Sequence, residues 1–227
     1  MKSKHPVDAR RRTMAAPTRD IHARSLATSS ALSEYYMPDL ITPLDVIRIL
    51  NAAKVRFMLL GAHGIGGWTG KPRATEDVDV LVAARGYKKA IAALSETFPH
   101  LQVEDNEVVT RFREPESGTV VIDVMKPNQP LYRDALKYGH TVESGGERYQ
   151  VPSLELALST KFSAMISLTR GDDKKLFDTG DFIRLIRGNS DIDLVKLHAL
   201  GQLVYNGGGD EIVEKVRQVR AGEKLVL

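Results

Sequence analysis

Cysteine is absent from the 227 residues. That excludes a disulfide framework, a thiolate zinc site and a thiol nucleophile. Long hydrophobic runs are missing too. The longest mostly apolar stretch, Phe57 to Trp68, is interrupted by four glycines and a histidine, and it is too short to cross a bilayer. No apolar segment follows the N-terminal charges, so no secretory signal is read. A cytoplasmic location with no membrane partner is expected. Apolar residues at 42% and charged residues at 27% exclude collagen-like and wholly disordered chains. The length suits one large domain or two small ones.

The net charge of +3 is unevenly placed. Residues 1–27 hold seven Lys/Arg against two acids, leaving 25 basic and 27 acidic groups in the other 200 residues. The basicity therefore belongs to an N-terminal tail, read as a solvated arm or a phosphate-binding arm. Two prolines, many small polar residues and no sustained apolar period give residues 1–36 the pattern of disorder.

Order is expected from Thr42-Pro43-Leu44-Asp45, a helix start with cap, N1 proline and first-turn acid. Arg56–Leu60 reads as a short apolar strand. Gly61 to Gly70 has five glycines among ten residues and reads as a short helix between turns. Asp77–Val82, Leu101–Glu104, Val108–Arg113 and Thr119–Met125 read as further strands, with a helix over Tyr87–Thr97. A smaller strand pair is expected at Thr141–Val142 and Tyr149–Val151. From Ser153 the pattern is helical: to about Leu168, from about Asp173 to Ile186, from Ser190 to Val204, and after Gly207-Gly208-Gly209. The fold class expected is α+β, a mixed β-sheet flanked by helices and followed by a C-terminal helical bundle. The expected division is 1–36 tail, 37–151 sheet domain and 152–227 helical domain.

The chemistry-bearing signal is Asp77-Val78-Asp79. Side chains two apart on a strand share a face, and two carboxylates there can converge on a pair of divalent cations. An exposed edge strand is the structural alternative. Asp123 lies alone in the apolar run Val120–Met125, where β-propensity disfavours an acid. It suits a third metal carboxylate, or a salt-bridged strand acid. Leu60-Gly61-Ala62-His63-Gly64 follows a strand, and amides at such a turn into a helix form a phosphate cradle.

In that order the pieces resemble the nucleotidyltransferase superfamily of the DNA polymerase β type. The run Arg73-Ala74-Thr75-Glu76-Asp77-Val78-Asp79 looks most like minimal nucleotidyltransferases of the AbiEii toxin family, over roughly residues 40–190. Such proteins carry a lysine in the first helix after the sheet, here Lys161. A basic turn and an Asp-x-x-Asp helix follow, here Arg170, Lys174, Asp178 and Asp181. An exposed ion-pair face is the plain alternative for that helix. The chain departs from the pattern at Ala62, where Gly or Ser is usual and a serine hydroxyl would help hold the triphosphate.

The resemblance implies a metal-dependent nucleotidyltransferase using two Mg2+ ions and an NTP. Asp77, Asp79 and Asp123 would bind metal, and Asp123 would help deprotonate an acceptor hydroxyl. Lys161 and Arg73 would neutralise the triphosphate. Gly61, Ala62, Thr75, Lys174 and Asp178 complete the expected nucleotide site. The acceptor implied is RNA such as tRNA, a protein or a small molecule, and a toxin would have an antitoxin partner. The rivals are a non-catalytic nucleotide- or RNA-binding protein on the same fold, favoured by Ala62, and a nucleotidyltransferase acting on an aminoglycoside-like molecule.

Overall fold

The computed structural model describes residues 20–28, 31, 41–70, 75 and 77–225. Its centre is a five-stranded sheet ordered β1-β2-β5-β4-β3. The strands are β1 (Phe57–Leu59), β2 (Val78–Val82), β3 (Gln102–Asp105), β4 (Val109–Arg113) and β5 (Val120–Met125). Only β2 and β5 run parallel; the other pairs are antiparallel. A parallel pair needs a crossover, and α4 (Tyr87–Thr97) with the β3–β4 hairpin supplies it.

Period-2 alternation divides the sheet's two faces. Val78, Val80 and Val82, with Ile122, Val124 and Phe112, are buried against α2 (Pro43–Ala52) and α4. Helix α2 starts as its sequence dictates: Thr42 and Asp45 form a reciprocal capping box, and Pro43 occupies the first turn. Leu81 faces the other way. With Met58 and Leu60 it packs on α5 (Pro130–Ala135), α6 (Leu154–Met165) and α8 (Leu194–Gly201) through Leu131, Ala135, Leu156 and Leu200. The helical half thus roofs part of the face that bears Asp79. Helices α7 (Asp172–Gly188) and α9 (Gly208–Ala221) complete the bundle through Phe182, Leu185, Ile212 and Val216. The hairpin β6 (Gly139–Ser144) and β7 (Glu147–Pro152) contributes Val142, Tyr149 and Val151 to the first core.

The expected α+β layout is the observed one, with local corrections. Helix α3 (Gly61–Thr69) takes nearly the whole glycine segment. Asp77 precedes β2 rather than lying in it, because Val78 is the first residue paired to β5. Helix α5 was not foreseen, although Pro130 sits in its first turn. The helix before Leu168 ends at Met165. The one after Ser190 starts only at Leu194, capped by the Asp193 carboxylate.

The largest correction concerns the tail. Residues 20–28 form a helix, α1, and Leu26 is 1% exposed in the sheet core. The glycines of α3 explain how it docks. A Cβ on Gly66 would stand 2.2 Å from Ser25 Oγ, and one on Gly67 2.3 Å from the His22 ring. The His22 ring meets Trp68 edge-on at 4.9 Å. This short helix lies amid tail residues without an apolar period, so its few contacts did not register as a pattern. Residues 1–19, 29–30 and 32–36 of the expected tail lie outside the described residues.

Candidate active site

Two aspartates meet by strand register. The parallel pairing of β2 with β5 sets Asp79 directly beside Asp123. Directly registered neighbours project from one face, which brings together carboxylates 44 positions apart. Asp77, two residues before Asp79, has its Oδ1 held by the Thr75 hydroxyl at 2.5 Å. Both Asp77 and Asp123 act electrostatically on Asp79.

Gly61 brings the α3 N-terminus to the same point. The Leu60 N–H donates to the Asp79 carbonyl at 2.8 Å, which ties the turn to β2. Gly61 has a φ of +56°, and a Cβ on it would lie 1.8 Å from Asp79 Oδ2. No side chain caps this helix, so its first amides have no side-chain partner at the end that lies against Asp79. Ala62 lies in that first turn and is buried; it offers a backbone amide and no hydroxyl.

Burial, then the charges of Asp77 and Asp123, push the Asp79 carboxyl up to about 8. The charges of Lys161 and Arg170, from the helical half, act in the opposite direction. Burial also lifts the Asp123 carboxyl above its ordinary range, while Arg111 pulls it down and Asp77 pushes it up. Asp123 Oδ1 is buried without a hydrogen-bond partner, and Arg111 Nε stands 3.4 Å away.

The donor set suits a hard divalent cation: all oxygen, all carboxylate, mutually repelling and with a buried oxygen lacking a hydrogen bond. Among the described residues, however, no three His, Cys, Asp or Glu side chains are already gathered as a metal cage. The hydrogen bond from Thr75 restrains Asp77 in its present position.

Lys161 is not free in the cleft. Its ammonium is buried and lies 2.8 Å from both Asp178 Oδ1 and Asp181 Oδ2. Burial disfavours the ammonium, but Asp181 and Asp178 outweigh it and hold the pKa above its usual value. The plain alternative of an exposed ion-pair face does not describe Asp178 and Asp181, which are buried on α7. Asp178 also holds Arg170, whose Nε is 2.6 Å from Asp178 Oδ2 without hydrogen-bond alignment. Asp181 holds Arg184 at 3.2 Å. Lys174 is exposed and acts on Asp123. Arg73 lies outside the described residues.

Two further residues belong to this setting and were not foreseen. Arg111 on β4 pairs in register with Asp123; in sequence it reads as an ordinary outward residue of an alternating strand. Tyr132 on α5 is pushed up to about 12, by burial first and then by the nearby Asp79 and Asp178 charges against Arg170. Its phenol therefore stays protonated and able to donate. A proline-started helix was its only sequence signal. A cavity of about 690 Å³ between the C-terminal ends of α7 and α9, beside Arg187 and Arg220, gathers none of these acids.

Among the described residues, no helix is long and apolar enough to cross a membrane. Neither a family model nor a curated protein matches the chain. Solved structures do show likenesses. An antigenic nucleotidyltransferase-like protein from Paracoccidioides brasiliensis is 19% identical, with a TM-score of 0.46, over 84% of this chain and 92% of that one. The lincomycin-bound lincosamide antibiotic adenylyltransferase LnuA is 17% identical, with a TM-score of 0.43, over 61% of this chain and 92% of that one. Terminal uridylyl transferase 4 from Trypanosoma brucei with bound dUTP is 13% identical, with a TM-score of 0.33, over 74% of this chain and 59% of that one. At that distance the functional reading stands on this chain's own residues.

Proposed function

We propose that the protein is a metal-dependent nucleotidyltransferase, moving a nucleoside monophosphate from an NTP to an acceptor hydroxyl. The observation that carries this reading is the registered pair Asp79–Asp123 placed at the uncapped N-terminus of α3. A structural acid pair has no use for two like charges side by side with a helix dipole aimed at them.

The first amides of α3 cradle the triphosphate, and Gly61 leaves room for the Asp79 carboxylate beside them. Arg170, 40% exposed at its side chain and held by Asp178, supplies positive charge on the opposite wall. Lys161 contributes charge to the same wall, and its ion pairs with Asp178 and Asp181 fix α7, which presents Lys174 and whose Asp178 holds Arg170 just before the helix. Two magnesium ions, held by Asp77, Asp79 and Asp123, would neutralise developing charge on the attacking and leaving oxygens. Asp123 takes the proton of the acceptor hydroxyl, a role suited to a carboxyl raised above its usual range. The acceptor oxygen bonds to the α-phosphorus. The bond from that phosphorus to the α–β bridging oxygen breaks, and pyrophosphate leaves.

The AbiEii-like reading belongs to the same proposal: a toxin with RNA such as tRNA as acceptor, an antitoxin partner and a cytoplasmic location. Its support is the motif from Arg73 to Asp79 and the Lys161–Asp178–Asp181 arrangement. The test is incubation with each α-labelled triphosphate, magnesium and total RNA, with label sought in RNA, protein and small products. Label transfer that disappears in Asp79→Asn supports the reading. No transfer and no pyrophosphate release with any triphosphate or acceptor overturns it.

A further inference from the structure

The face that bears the aspartates continues beyond Asp123. Register sets Asp79, Asp123, Arg111 and Glu104 in one row across β2, β5, β4 and β3. Arg113 lies two residues along β4, past a local register irregularity. On the reverse of the sheet Phe112, Ile122 and Val124 are buried. On this face the strip opens to solvent: side-chain exposure is 17% at Asp123, 35% at Arg111 and 51% at Glu104.

The two arginines use their donors differently. Arg113 is committed, with Nε donating to Glu104 at 2.8 Å and Nη1 to the Gly118 carbonyl at 2.9 Å. Arg111 makes no hydrogen bond among the described residues. It faces Asp123 Oδ1 at 3.4 Å, and that oxygen is itself unpaired by hydrogen bonds. A guanidinium carries five N–H donors in a planar fork that matches phosphate. Lys174, exposed on α7, adds a second cation that acts on Asp123. Unspent donors and positive charge therefore lie on the side of Asp123 away from Asp79. An acceptor hydroxyl that gives its proton to Asp123 has to approach over this strip.

We propose that Arg111 and the strip around it form the acceptor subsite, selecting an acceptor whose reacting hydroxyl lies beside a phosphate, as at a ribonucleotide end. This rests on the nucleotidyl-transfer reading and deepens it. A ribose bears hydroxyls and a phosphate on one ring, so one group faces Asp123 while the other meets Arg111. A polycationic aminoglycoside would bring like charge against Arg111 and Lys174. Glu104 gives it little compensation, because its carboxylate is already taken by Arg113.

The test uses the full chain, wild type, Arg111→Gln and Arg111→Lys, at one fixed salt concentration with magnesium. Binding of a fluorescent single-stranded oligoribonucleotide is followed by anisotropy with the triphosphate site filled by a non-reactive NTP analogue. Transfer is followed in parallel with the same oligonucleotide, with adenosine monophosphate and with tobramycin as acceptors. Melting curves confirm that the variants are folded.

Arg111→Gln is expected to weaken oligonucleotide binding and raise its KM at least about tenfold, the weight of one hydrogen-bonded charge. The KM for NTP should move much less, and Arg111→Lys should fall between. Greater loss with the oligonucleotide than with the mononucleotide places the recognised phosphate within a chain; equal loss assigns it to the terminal nucleotide. Equal oligonucleotide binding by wild type and Arg111→Gln overturns the proposal, as does a preference for tobramycin. If no triphosphate is consumed with any acceptor or water, nucleotidyl transfer fails as a reading, while the binding comparison still decides the role of Arg111.

Discussion

Gly61 lies so close to Asp79 that a methyl group on its Cα would stand 1.8 Å from Asp79 Oδ2. The helix start and the carboxylate occupy one space, and only a missing side chain lets them share it. The left-handed φ of +56° adds a second demand for glycine. Gly61→Ala should therefore lower stability by more than about 1 kcal/mol. It should also displace Asp79 and remove magnesium-dependent NTP binding, as read by calorimetric titration. Unchanged NTP affinity would separate Gly61 from the site.

Asp79 should be a source of instability in metal-free protein. Its carboxyl is raised to about 8 by burial and by Asp77 and Asp123, against an ordinary value of about 4. A raised carboxyl stabilises the fold while protonated. That contribution is complete below the ordinary value and is lost as the pH climbs through 8. In chelator, the Tm of wild type relative to Asp79→Asn should fall progressively from pH 4 to pH 8 on this scale. Magnesium added at the upper end should raise the wild-type Tm and leave Asp79→Asn unmoved.

Lys161 is predicted to matter for stability first. Removing it leaves Asp178 and Asp181 buried and close together, with the partly exposed Arg170 and Arg184 still beside them. Breaking a buried pair on one side costs about 3–5 kcal/mol. Lys161→Ala should lose that much in chemical denaturation, and adding Asp181→Asn should return part of it. A variant that loses transfer while keeping full stability would mean the ammonium leaves its two aspartates to meet the triphosphate.

Helix α1 should be needed for a stable fold. Leu26→Ala, at 1% exposure, should cost about 2–5 kcal/mol. Gly67→Ala should undock the helix, because the new methyl would sit 2.3 Å from the His22 ring. His22 supplies a pH signature. Burial, then the charge of His140, lowers its pKa to about 4 from 6.5. A depressed histidine stabilises the fold above its unfolded value, and that stability is lost as pH falls from 6.5 toward 4. Denaturation of wild type and His22→Phe across that window should converge in acid if the docking is as described.

The outline of the protein was legible because it follows local periods. Alternating valines mark β2, an apolar run broken by one acid marks β5 and Asp123, and a capping box marks the start of α2. These features depend on neighbours within a few positions, and the chain displays them directly. The spacing of Asp77 and Asp79 reads as a shared strand face, but Asp77 precedes β2 and only Asp79 lies in it.

Pairing across distance was decided only by the tertiary structure. Nothing near Asp123 states that parallel register will set it beside Asp79, or that Arg111 will arrive on its other flank. Lys161 reads as a triphosphate-neutralising lysine from the resemblance alone; its observed partners come from α7, 17 and 20 positions on. Gly66 and Gly67 read only as part of a short glycine-rich helix between turns, yet α1 packs against the surface they leave bare. In each case the deciding energy is charge or steric contact between segments far apart in sequence. Such terms depend on separation in space, which chain order alone does not specify.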